Sequence, residues 1–129
     1  MATPFAEAAY KAATEAKDVA RPAMDQAEAQ IVATHTAYLK AVYDRQQAER
    51  VWRQLDNSDR AGVNISSQQL NAAVDKVNQA GFLVEKAEDA WRDAQEAKRA
   101  ANDKASEAFA NWRQAAKLLE GSRGDVRHW

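Results

Sequence analysis

The chain has 129 residues, of which 29% are charged and 46% apolar, and its 18 basic and 19 acidic side chains leave a net charge of −1. This balance, which also holds within each half, gives no concentrated basic face of the kind that nucleic acids or anionic membrane surfaces require. There are no cysteines, so disulfides and thiolate metal sites are excluded. We expect no signal peptide and no transmembrane segment, and we expect a cytoplasmic or virion-associated protein.

Four glycines and two prolines leave the chain few places to turn, which favours long helices. Thr3 can cap a helix whose first turn contains Pro4, where the missing N–H costs nothing. Ser66 and Gln69 form a capping box that starts a second helix, and Gly121 is a plausible stop for it. We predict a single helical hairpin domain over 1–129, with a helix over 4–57, a loop over 58–65, a helix over 66–120 and a flexible tail over 121–129.

A seven-residue ladder, mostly alanine, runs along both predicted helices. A second line of mostly larger residues follows four positions later, so both lines share one face of a helix. The predicted intramolecular seam consists of Ala6, Ala13, Ala20, Ala27, Ile31, Tyr38, Ala41, Ala48 and Trp52 in the first helix, and of Ala73, Val77, Ala80, Val84, Ala87, Trp91, Ala94, Ala101, Ala108, Trp112 and Ala115 in the second. The fold class is therefore all-α: a long antiparallel two-helix coiled-coil hairpin with an alanine-rich heptad seam.

The nearly equal lengths of the two helices suggest a register that matches small residues to small and large to large. The predicted facing pairs are Ala6 with Ala115, Tyr10 with Trp112, Ile31 with Trp91, and Trp52 with Leu70. Pro22 interrupts the hydrogen bonding of the first helix, so we expect a bend there. In the alternative fold, residues 4–20 form a separate helix that folds back into a three-helix bundle.

Several large apolar residues lie off the seam, most of them in the half of the chain nearest the loop. The predicted partner interface consists of Val32, Leu39, Val42, Tyr43, Phe82 and Leu83, together with Trp129 in the tail. A seam of alanines buries little apolar area, so we expect this surplus to be covered by self-association or by docking onto a larger assembly. The alternative is that these residues widen the intramolecular seam.

Patterns typical of catalysis, cofactor binding or metal binding are missing from the sequence. Neither His35 nor His128 follows a glutamate by three positions, as the ligands of di-iron bundles do. The acidic residues around Glu88 alternate with basic ones such as Arg92, which is typical of a solvated, ion-paired surface. We predict a protein that is not an enzyme and has no catalytic residues, no cofactor, no metal site, and no nucleic-acid, membrane or small-molecule partner.

These observations favour a structural or assembly protein that acts through helix–helix protein contacts as a homo-oligomer or as a part of a larger particle. Small helical proteins of this composition are common among phage virion and scaffold-type components. The alternative is a small secreted or regulatory binding module, including a protein inhibitor that acts by occlusion. The hairpin outline is similar to the small WXG-type secreted proteins, although Trp52-Arg53-Gln54 lacks their glycine.

Overall fold

The computed structural model describes residues 3–127, which form two long α-helices joined by a short loop. Helix α1 is Pro4–Arg60 and helix α2 is Ser67–Arg127. The two helices pack against each other as a hairpin, and no strand occurs in the described range. The predicted fold class is confirmed.

The chain divides into two compact units, each of which takes one stretch from each helix. Unit 1 combines the beginning of α1, up to Ala29, with the end of α2, from Gln95 onwards. Unit 2 is Gln30–Ala94 and contains the loop. The prediction of a single domain stays a prediction, and the two units are described separately below.

Both helices begin at the caps that the sequence predicts. The Thr3 Oγ1 accepts a hydrogen bond from the Ala6 amide at 3.1 Å, which satisfies one of the free N–H groups of the first turn of α1. At α2, the Gln69 amide donates to the Ser66 Oγ at 3.1 Å, and the Ser66 amide donates to the Gln69 Oε1 at 3.2 Å. This reciprocal pair is the predicted capping box.

Helix α1 ends in a Schellman motif, three residues beyond the predicted end at position 57. The Gly62 amide donates to the Asp59 carbonyl at 3.1 Å, and the Val63 amide donates to the Ser58 carbonyl at 2.9 Å. Gly62 has a φ of 88°, which the motif requires and which costs a glycine little. The turn-forming residues before Gly62 therefore belong to the last turn of the helix, because the chain reverses only at that glycine.

The predicted end of the second helix at Gly121 is wrong. Helix α2 continues to Arg127, so residues 121–127 of the predicted flexible tail are helical, and only 128–129 lie outside the described range. A glycine inside a helix costs about 1 kcal/mol relative to alanine but does not end the helix. It marks a stop only where φ is positive, which among the described glycines holds for Gly62 alone.

Helix α1 is continuous through Pro22, which excludes the alternative three-helix bundle. Pro22 is exposed, so its ring displaces water rather than a neighbouring helix. Its lack of an N–H leaves the Asp18 carbonyl without the usual intrahelical donor. The predicted bend at this position stays a prediction.

The two lines of the predicted seam lie on the inner faces of the helices. Each of the twenty predicted seam residues is buried or half-buried, whereas their immediate neighbours are mostly exposed. The buried core of the described residues consists of Ala6, Ala73, Val84, Ala94, Ala115 and Leu119. Four of these six are alanines, so the hairpin has a thin core.

One hydrogen bond near the ends of the two helices departs from the predicted register. The Thr3 amide donates to the Ser122 Oγ at 2.8 Å, and counting along both helices from this bond sets Ala6 level with Leu119. Both residues are buried, with 5% and 7% of their surfaces exposed. The predicted facing of Ala6 with Ala115 stays a prediction, because Ala115 is buried as well, with 6% of its surface exposed. Setting a large side chain opposite a small one fills the seam, because close packing requires complementary volumes.

Candidate protein-interaction site

In unit 2, an aromatic cluster fixes how the two helices meet. The Trp91 ring on α2 lies 4.7 Å from the ring of His35 and 5.6 Å from that of Tyr38, both on α1, measured between centroids. Trp91 thus reaches one to two turns closer to the loop than the predicted partner, Ile31. His35 is half-buried beside the seam and belongs to this packing cluster.

In unit 1, a second aromatic cluster surrounds Trp112. The ring centroids of Tyr10 and Trp112 lie 6.4 Å apart, which confirms this predicted pair. The Lys17 Nζ lies 4.0 Å from the centre of the Trp112 ring, in position for a cation–π interaction. Phe109 completes the cluster at 5.6 Å from Trp112 and remains 41% exposed.

Phe109 also lines a groove in unit 1 that the sequence analysis did not predict. The groove has a volume of about 880 Å³ and lies beside Pro22 and Met24. Its lining includes two basic and two acidic side chains, Lys17, Asp18, Arg21 and Asp25. The sequence offers no signal for it, because Phe109 follows a seam alanine and falls in neither line of the heptad pattern.

Two acidic residues of α2, Glu88 and Asp89, form ion pairs of the kind that the sequence predicts. Arg92 lies 3.3 Å from Glu88 and 3.8 Å from Asp89, with all three side chains largely exposed. Lys98, on the seam line, pairs with Glu28 across the hairpin. Among the residues that the structure describes, no group of three His, Asp or Glu side chains could hold a metal ion.

Three residues of the predicted partner interface share one outward face of α1 in unit 2. Val32, Leu39 and Tyr43 are 59%, 53% and 59% exposed, although all three are large and apolar. Their spacing of seven and four residues places them on one stripe of the helix. Thr36 and Gln46, both exposed, extend the stripe so that its members alternate by four and three residues. We call this row, Val32, Thr36, Leu39, Tyr43 and Gln46, the outer line.

The remaining residues of the predicted interface do not join the outer line. Val42 is half-buried, at the edge of the seam. Phe82 and Leu83 are exposed on α2, but as adjacent residues they point about 100° apart, and the Lys86 Nζ lies 5.0 Å from the centre of the Phe82 ring. Trp129, like His128, lies outside the described residues. Of the predicted interface, the structure thus places three residues on one stripe of α1 and two exposed residues on α2.

The apolar residues of the sequence predict Val32, Leu39 and Tyr43 of the outer line but not Thr36 and Gln46. The signal was present, because Val32, Thr36, Leu39, Tyr43 and Gln46 repeat the alternating spacing of the seam itself. Because two of the five positions carry polar side chains, the apolar residues alone do not show this repeat.

Helix α1 and the described part of α2 contain no stretch that is both long and apolar enough to cross a membrane. Comparison of the chain with protein-family models, with curated protein sequences and with solved structures gives no match.

Proposed function

We propose that this protein is a non-catalytic assembly protein that acts through helix–helix contacts, and that the outer line of α1 makes these contacts. The observation that carries the proposal is the exposure of Val32, Leu39 and Tyr43, each more than half accessible, on a single stripe of the helix. Isolated exposed apolar residues are ordinary on protein surfaces, but a row with coiled-coil spacing is typical of a contact with another helix.

The thin core of the hairpin supports the same proposal. Four of its six buried residues are alanines, which contribute little apolar area. Covering the exposed halves of the three large side chains of the outer line would contribute roughly 3 kcal/mol per copy. That is a substantial fraction of the stability of a small domain, which is typically about 5–15 kcal/mol. A partner helix would therefore add significantly to the stability of a fold that buries little apolar area.

Within this proposal, the finer assignment is a structural component of a larger particle, such as a phage virion or scaffold. It rests on composition, namely an alanine-rich, helical chain whose basic and acidic side chains nearly cancel. Incorporation of the tagged protein into purified particles would support this assignment, and its consistent absence from them would contradict it.

The main test is the mass of the full chain in solution, measured by sedimentation equilibrium from about 1 to 200 µM, a range chosen to bracket weak protein contacts. We expect a defined oligomer that dissociates on dilution. Leu39→Lys should weaken the association at least tenfold, because it places a charge in the outer line.

Val19→Lys is the matched control for that variant. Val19 is 69% exposed on α1 but lies in unit 1, away from the outer line. The Val19→Lys variant should therefore associate as strongly as the wild type. A folded wild-type chain that stays monomeric over the whole range would contradict the proposal, as would equal effects of the two lysine substitutions.

A further inference from the structure

The outer line contains no charged residue over about four turns of α1. Its five members, Val32, Thr36, Leu39, Tyr43 and Gln46, are all neutral. In the chain as a whole, 29% of the residues are charged. All five are exposed, and their alternating spacing makes them a second coiled-coil face on the same helix. A partner must bring neutral side chains to this face, because a charge buried there without a partner would be strongly unfavourable.

A second copy of this chain satisfies that condition with its own outer line. The net charge of −1 is too small for two copies to repel each other appreciably. We infer that two copies pair through their outer lines in an antiparallel arrangement, with the two-fold axis between Thr36 and Leu39. This inference rests on the proposed function and specifies its partner.

The register follows from matching neutral residues across the axis. In this register, Val32 of one copy faces Tyr43 of the other, and Thr36 faces Leu39, so each large apolar side chain is covered by a neutral one. Sliding one copy by seven residues would set Val32 against Arg50, the next residue in the row. An isologous contact of this kind is the usual way for a soluble protein to form a dimer.

The antiparallel direction follows from the same residue, Arg50. In a parallel pair each residue faces its own copy, so two Arg50 side chains would meet at the end of the outer line and repel each other. An antiparallel pair separates them. A contact over four turns of one helix is smaller than the interfaces of stable complexes, which points to a weak dimer that dissociates at micromolar concentrations.

The absence of cysteine from the chain allows a direct test by single-cysteine cross-linking. At 1.5 Å per residue, the two Thr36 positions lie only about 4–5 Å apart along the helix axis in the inferred dimer, whereas the two Gln46 positions lie about 25 Å apart. Thr36→Cys should therefore form a disulfide-linked dimer under mild oxidation, and Gln46→Cys should not. Both side chains are exposed and polar, so neither substitution removes an apolar member of the outer line.

The Gln46→Cys variant also controls for random collision, because its thiol is on the same face and is also exposed. A parallel pair would cross-link both variants, and this result would overturn the inference. Failure of both variants to cross-link, or cross-linking of Gln46→Cys alone, would overturn it as well. Circular dichroism verifies that each variant folds as the wild type does. Its mass in solution under reducing conditions verifies that association is unchanged.

The two proposals fail in distinguishable ways. A wild-type chain that forms an oligomer while Thr36→Cys does not cross-link would leave the assembly function standing and remove this dimer. A wild-type chain that is monomeric at all concentrations would remove both.

Discussion

Gly62 ends helix α1 because it alone among the described glycines has a positive φ. We predict that Gly62→Ala lowers the free energy of unfolding by about 1–2 kcal/mol, because a Cβ disfavours the left-handed conformation. The loss should come from backbone strain alone, since no atom lies within 4 Å of the position that the new Cβ would take. Urea denaturation followed by circular dichroism, at one fixed protein concentration, measures the change.

Gly81→Ala is the control for that substitution. Gly81 lies inside α2, where a Cβ would also meet open space but φ is not positive. Alanine should therefore raise the free energy of unfolding there, by up to about 1 kcal/mol. If both substitutions shifted stability in the same direction, the Schellman end of α1 would be wrong.

Pro22 provides a test of the continuity of α1. Because Pro22 is exposed inside the helix, Pro22→Ala restores the hydrogen bond to the Asp18 carbonyl without removing any packing, and should stabilise the protein by up to about 3 kcal/mol. Pro4→Ala should change stability little, because the first turn of a helix has no such bond to restore. A neutral Pro22→Ala, measured by thermal unfolding, would argue that the helix is interrupted at this position.

At the scale of the element, the seam restricts the size of its buried alanines. Ala94 is 5% exposed, so Ala94→Leu should destabilise the protein by about 1–3 kcal/mol through overpacking. Ala90→Leu, on the exposed side of the same helix, should alter the free energy of unfolding by less than about 0.5 kcal/mol. Equal effects of the two substitutions in urea denaturation would place the seam elsewhere.

The helices, their caps and the faces they bury could be predicted because each depends on local spacing. A cap needs two residues three positions apart, as in Ser66 and Gln69, and a seam needs only a repeating period. The end of α2 could not be predicted from Gly121, because the φ of a glycine is decided by whether the chain must turn there. Size matching predicted the pair of Tyr10 and Trp112 but not the contacts of Trp91 with His35 and Tyr38, since the pairing depends on how volumes fill the space between two helices.

The candidate site was predictable only in part for a related reason. Exposure of Leu39 and Tyr43 follows from their distance from the seam, which the sequence shows. The directions in which Phe82 and Leu83 point depend on how far each side chain turns away from the seam of α2, which a list of apolar residues does not reveal. The seven-residue period predicts Thr36 and Gln46 once polar residues are counted as members of the row.

At the scale of the whole molecule, charge and burial have separate roles. The ion pairs of the described residues, such as Arg45 with Glu49, join partly or largely exposed side chains and contribute little each. The few large apolar side chains at the seam supply most of the remaining folding stability, and in the proposed dimer those of the outer line would supply the stability of association. Folding and association of this chain should therefore both follow apolar burial, with charge serving mainly to keep the surface hydrated.

This division of roles predicts how association responds to salt. A contact through the neutral outer line should keep its dissociation constant within about threefold between 50 and 500 mM NaCl, because screening acts on charges and this face has none. Sodium sulfate at the same ionic strength should strengthen the association, since it favours apolar burial. Sedimentation equilibrium of the wild-type chain across both salts measures this. A tenfold weakening in NaCl would assign the contact to charged residues outside the outer line.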